Sequence, residues 1–201
     1  MDKIAEGYYQ ELYEVAAVLN SARESQAVLH AIVACVAKAL GAKGCSLMLL
    51  TPDGKALLHT AAHGLSDWYV RKGPVSADKS ISESLEGKPV AVLNATKDER
   101  IQYREQAKKE GIASILSVPM MLREEIIGVI RIYTGTPRQF TTEDTYFVGA
   151  VAHLGAIALE NARLHEAVRK DYEEFRQEML EWRAALGYEW TVDKSVVPQE
   201  E

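Results

Sequence analysis

Two runs rich in apolar and β-branched residues, Ser114–Leu122 and Ile126–Thr134, are separated only by Arg123, Glu124 and Glu125. So short a connection permits only an antiparallel hairpin, because parallel neighbours need a crossover of a dozen residues or more. A second hairpin is expected upstream. Cys45–Leu50 is a short apolar run, Pro52-Asp53-Gly54 is a turn, and Ala56–His63 returns before Gly64. A shorter strand is expected at Val90–Leu93, between the Lys88-Pro89 boundary and a polar loop.

Helical periodicity brackets these strands. Leu12, Val15, Ala16 and Leu19, then Val28, Leu29, Ile32, Val33, Val36 and Leu40, recur at spacings of three and four. Asn20-Ser21 separates the two sets, with Ser21 and Glu24 as a capping box, so two helices are expected before Gly41. Shorter helices are expected at Ser80–Glu86 and Ile101–Glu110. A long one is expected from Glu143 to Leu186, with Thr141 as its cap. Strands joined by tight turns, with long helices at both ends, make this an α+β chain with helices packed on an antiparallel sheet.

Several functional classes are set aside by composition. The formal net charge is −6, with 29 acidic against 23 basic residues. No basic patch of the kind that neutralises nucleic-acid phosphates stands out. No apolar run reaches the length of a membrane span. The opening MDKIAEGYYQELYE lacks the basic-then-apolar order of a signal peptide, so a cytoplasmic setting is expected. Two cysteines, Cys35 and Cys45, are too few for a disulfide framework and read as small buried hydrophobes.

The stretch from Gly87 to Glu166 resembles the second half of a GAF domain. The features that carry the resemblance come in order. They are the Gly-x-Pro-Val entry to a strand (Gly87, Pro89, Val90), the acidic-x-Arg turn (Asp98, Arg100) and the helix ending in Glu110-Gly111. Ser114-x-x-x-Val118-Pro119, Gly128-Val129, Phe140-Thr141 and Glu160-Asn-Ala-Arg163 follow. The resemblance covers roughly residues 15–165. It implies a GAF-like (profilin-like) six-stranded antiparallel sheet with helices on both faces, the first and last on one face and a small-molecule pocket on the other. The expected organisation is an N-terminal helix (1–20), a GAF-like domain (21–165), a coiled-coil-like helical extension (166–187) and a tail (188–201). Carry-over of the family's pocket points to Ile81, Ser82, Asn94, Tyr103 and Ser114. The fold leaves the ligand open, and the residues name no cofactor.

Residue chemistry narrows the field. A free methionine sulfoxide reductase on this fold would need reactive cysteines between residues 80 and 120, and a covalent tetrapyrrole would need a pocket cysteine. Neither is present. His59 and His63, four apart in a strand, are expected on one face about 13 Å apart, too far for one metal ion. His153 reads as a helix histidine satisfied by hydrogen bonds. Alternation along Ile126–Thr134 puts Val129, Arg131 and Tyr133 on one face, and Gly128, Ile130 and Ile132 on the other. A charge in a central strand must reach solvent, an acid or a ligand. Arg131 and Tyr133 are therefore the candidates for holding a carboxylate or phosphate, against a salt bridge within the protein.

The last helix carries Leu164, Val168, Tyr172, Phe175, Met179, Trp182 and Leu186, at spacings close to a coiled-coil seam. Glu166–Lys170 and Arg169–Glu173 are expected to support it as i,i+4 pairs. With Tyr8, Leu12, Val15 and Leu19 as a matching stripe on the first helix, the expectation is a homodimer built on a helical bundle. That leaves two functional classes. One is a sensor that binds a small molecule and signals through the helices to a separate partner protein. The other is an assembly module with a vestigial pocket.

Overall fold

In the computed structural model, backbone is described at residues 3–21, 25–77 and 82–186, and side chains at 7–17, 26–77 and 83–186. The capping box at Ser21 and Glu24, and the side chains of Leu19, Ile81 and Ser82, lie outside the described residues.

The Ser114–Leu122 and Glu125–Thr134 strands (β5, β6) form the expected hairpin, with Arg123 in the left-handed region at its turn (φ 58°). β6 also pairs antiparallel with β1 (Gly44–Leu50). β1 in turn pairs with β2 (Ala56–His63). With β3 (Val75–Ser76) and β4 (Val90–Val92) at the edges, the sheet order is β3-β2-β1-β6-β5-β4. Gly128 makes the β1–β6 approach possible. A Cβ there would stand 2.2 Å from the Met48 carbonyl oxygen.

The helices are α1 (Lys3–Ser21), α2 (Ser25–Ala39), α3 (Asp67–Val70), α4 (Ser82–Leu85), α5 (Arg104–Glu110) and α6 (Thr142–Ala185). The chain divides into two compact units, residues 1–162 and 163–201. In the first, α1, α2 and the opening turns of α6 bury one sheet face. Ile32, Val33 and Val36 of α2, with Val148, Val151 and Ala152 of α6, pack on Leu47, Leu116, Val118, Ile130 and Ile132. Val15 joins this core at 3% exposure, with Tyr8 and Leu12 packed against it. Tyr8, Leu12 and Val15 of the α1 stripe predicted for a partner are thus spent on the chain's own core, which leaves Tyr9 and Tyr13 outward.

A polar knot fastens α1, the end of α2 and the start of α6. The Tyr8 hydroxyl donates to Asp144 Oδ1 at 2.5 Å, and its ring stacks on Phe147 at 4.6 Å. Arg138 pairs with Asp144 at 3.0 Å and donates to the Leu40 carbonyl oxygen. The Asp144 amide donates to Thr141 Oγ1 at 3.1 Å, and the Thr141 amide donates back to Asp144 Oδ2 at 3.0 Å. That reciprocal cap starts α6 where Thr141 predicts it.

The described part of the second unit, taken alone, is the remainder of α6. Leu164, Val168, Tyr172, Phe175, Met179, Trp182 and Leu186 are all exposed, Phe175 at 61% and Trp182 at 60%. Ion pairs Arg169–Glu173 (3.9 Å) and Lys170–Glu174 (3.7 Å) run along it, so Lys170 reaches forward rather than to the predicted Glu166. Among the described residues, no helix is long and apolar enough to cross a membrane.

Candidate functional site

The sheet face away from α1, α2 and α6 carries the unusual chemistry. Strand alternation puts Val129, Arg131 and Tyr133 there, as expected, while Ile130 and Ile132 enter the helical core. Arg131 is 4% exposed. Its cross-strand neighbours are Ser46 on β1 and Ser117 on β5, and its Nε donates to Ser117 Oγ at 3.0 Å. Ser46 and the Tyr133 hydroxyl share a hydrogen bond of 3.0 Å. Tyr69 of α3 meets Tyr133 edge-on at 5.9 Å between centroids.

Lys72, just after α3, completes the group. Its Nζ lies 3.0 Å from His59 Nε2, donates to the Tyr69 carbonyl oxygen at 2.9 Å, and sits 3.7 Å from the Tyr69 ring centroid. Tyr103 is a further ring, 5.6 Å from the same ammonium, with its hydroxyl on the Pro74 carbonyl oxygen. Burial, then the Arg131 charge, pushes the Lys72 amine down to about 7, with Glu110 opposing. Burial, then the charges of Lys72 and Arg131, holds His59 down at about 3. Burial raises the hydroxyls of Tyr69 and Tyr133 above the ordinary tyrosine range.

His59 and His63 do not share a face. A bulge between Leu47 and Met48 leaves Thr60 as the extra residue and reverses the alternation. His59 pairs with Met48 on the Arg131 side. His63 pairs with Cys45 on the helical side, where it borders a groove of about 480 Å³ between α1 and α2. That groove's polar groups answer one another: Lys38 pairs with Glu11 at 2.9 Å, and Cys35 Sγ lies 3.3 Å from Glu11 Oε2.

Of the carried-over positions, Tyr103 reaches the Arg131–Lys72 group. Asn94 does not: its Oδ1 accepts from the amide and hydroxyl of Thr96 in a surface Asx turn. Ser114 pairs with Thr134, out of phase with Arg131, and ties the Leu93 carbonyl oxygen (2.7 Å) to the Arg138 amide (2.9 Å). His153 bonds back to the Gly149 carbonyl oxygen at 2.9 Å. Lys72 and His59 were missed as partners of Arg131. Lys72 lies in a loop with no periodicity, and only the bulge brings His59 to this side.

Neither thiol is poised as a nucleophile. Burial, then Glu11, pushes Cys35 up to about 12, and burial raises Cys45 further. Among the described residues, no cluster of His, Cys, Asp and Glu could hold a metal ion.

The GAF domain sequence profile matches residues 24–159. The methyl sulfide methyltransferase-associated sensor of Methanosarcina acetivorans is 28% identical over 139 residues. The match covers 66% of this chain and 14% of that protein, so the chain corresponds to a small part of it. A GAF domain from a Coxiella burnetii phosphoenolpyruvate-protein phosphotransferase superposes with a TM-score of 0.73 at 22% identity, over 81% of this chain and 98% of that one. The free methionine-R-sulfoxide reductase of Neisseria meningitidis, solved with its substrate, gives 0.68 at 18% identity, over 82% and 95%. These structural likenesses establish the fold.

Proposed function

The chain belongs to the GAF domain family, and on that premise we propose that it is a small-molecule sensor working as a homodimer, with α6 as its output. GAF domains are ligand-binding regulatory domains, and the sequence relative is itself named a sensor. The ligand half of this reading rests on one observation. Arg131, 4% exposed, stands beside Lys72 and His59 on the sheet face that the long helices leave uncovered. Arg131 and Tyr133, with Tyr103, are the side chains assigned to the ligand.

The output half rests on the apolar ridge from Leu164 to Leu186. Seven large side chains at near-heptad spacing are costly to leave in water, and a second copy of the same helix covers them. Because α6 begins in the first unit and ends in the second, a ligand that prefers one packing of the first unit would shift helix pairing in the second. A separate protein would read that shift. The raised thiols of Cys35 and Cys45 favour a regulatory over a reductase role.

One observation favours the alternative, an assembly module with a vestigial pocket: Tyr69 and Tyr133 are buried against each other beside Arg131. Native mass spectrometry of the purified chain separates the two. A reproducible bound small molecule supports the sensor, and a bare dimer supports the assembly module.

A further inference from the structure

We propose that Lys72 and His59 form an oxyanion subsite, so that the ligand carries a carboxylate or phosphate group at that end. This rests on the reading that the Arg131 face holds a ligand, and it names what that ligand must present.

When Lys72 is protonated its ammonium only donates, and His59 Nε2 then accepts from Lys72 Nζ. The imidazole then carries its single proton on Nδ1. That nitrogen is buried and, among the described residues, has no hydrogen-bond partner. A buried N–H without an acceptor is costly, and native structures seldom keep one without a use for it.

Lys72 itself has only neutral partners among the described residues: the imidazole, the Tyr69 carbonyl oxygen and the rings of Tyr69 and Tyr103. Its surroundings withhold the counter-charge an ammonium seeks. The charged groups that act on it are Arg131 on β6, which repels, and Glu110 on α5. Glu110 is already engaged, accepting from the Ser66 amide at 2.9 Å and from its hydroxyl.

An orphan donor and an unmatched cation share one complement, an acceptor oxygen bearing negative charge. A hydroxyl or amide would answer the donor and leave the charge. Tyr69 and Tyr103 flank the ammonium with ring faces, which suits an organic ligand behind the anionic head.

The test uses inorganic phosphate and succinate as separate probes, with chloride at matched ionic strength as the reference. Wild type, Lys72→Gln, His59→Phe and the surface control Lys108→Gln are compared by thermal shift. Wild type and Lys108→Gln are expected to show a saturable rise with one probe or both. Phosphate alone points to a phosphomonoester and succinate alone to a carboxylate. Lys72→Gln should lose the response, and His59→Phe should weaken it about tenfold, the size expected for a charge-assisted hydrogen bond. If either variant fails to fold, the wild-type imidazole Nδ1–H resonance is followed instead, and it should move downfield with the active probe.

No response in wild type, or an undiminished one in Lys72→Gln, overturns the subsite. A neutral ligand found on the purified chain, with both anions inert, would retain the sensor and discard the subsite. A chain that binds nothing discards both.

Discussion

Lys72 Nζ stands 3.0 Å from Nε2 of His59, where burial and then the Lys72 charge hold the imidazole's proton affinity down. The two bases come from a loop and a strand, and they meet because a β-bulge turns His59 to the face beneath Lys72.

Lys72 titrates near 7 in the folded chain and near 10.5 when unfolded. Below pH 7 both states hold the proton and the full cost of burying the charge is present. Above it the folded state releases the proton while the unfolded state keeps it, so Lys72 makes stability climb as pH rises from 7. Lys72→Met should melt higher than wild type at pH 6.5, and the gap should narrow by pH 8.5. Thermal unfolding at the two values checks this, and parallel profiles would contradict it.

His59 behaves differently because its folded value, about 3, lies below the ordinary histidine value of 6.5. The unfolded chain takes up a proton there between those limits and the folded chain does not. Stability is therefore lost as pH falls from 6.5 toward 3. Nitrogen-detected NMR of the ring should show a neutral Nδ1–H tautomer still present at pH 5, and His59→Phe should flatten that part of the stability profile.

Asp144 joins α1, Arg138 and the cap of α6 while almost wholly buried. Asp144→Ala leaves Arg138 without its carboxylate and removes the cap, at an expected cost of about 3–5 kcal/mol in urea unfolding. Tyr8→Phe removes one hydrogen bond and keeps the stacking on Phe147, so its cost should be about 1 kcal/mol. Equal costs would mean the knot is not organised around Asp144.

Gly128→Ala tests the β1–β6 contact. The added methyl meets the Met48 carbonyl oxygen at 2.2 Å, and backbone cannot rotate away as a side chain would. Overpacking of this kind costs about 1–3 kcal/mol, to be read in the same unfolding assay.

Much of this architecture is legible in the chain because it follows from period. The alternation of β6 sorts Arg131 and Tyr133 from Ile130 and Ile132 without further help. What alternation cannot see is a bulge, and Thr60 is enough to separate His59 from His63. Nor does a helical stripe announce what covers it. Val15 looks like Leu164 in sequence, yet the first packs inside its own domain and the second is exposed. Lys72 was invisible for a third reason: a loop residue next to Gly73-Pro74 has no period, and only tertiary packing brings it over Tyr69. Ser114 shows the limit of carry-over. Its strand matches the family pattern, while its hydroxyl is taken by Leu93 and Arg138.

Sedimentation equilibrium at micromolar concentration tests the central claim most directly, that the Leu164–Leu186 ridge brings two copies together. The account predicts a species of twice the 22.3 kDa chain mass, reduced to one chain by Phe175→Glu with Trp182→Glu. A wild-type chain that sediments as a single 22.3 kDa subunit, with rapid amide exchange from residue 163 to 185, would contradict it.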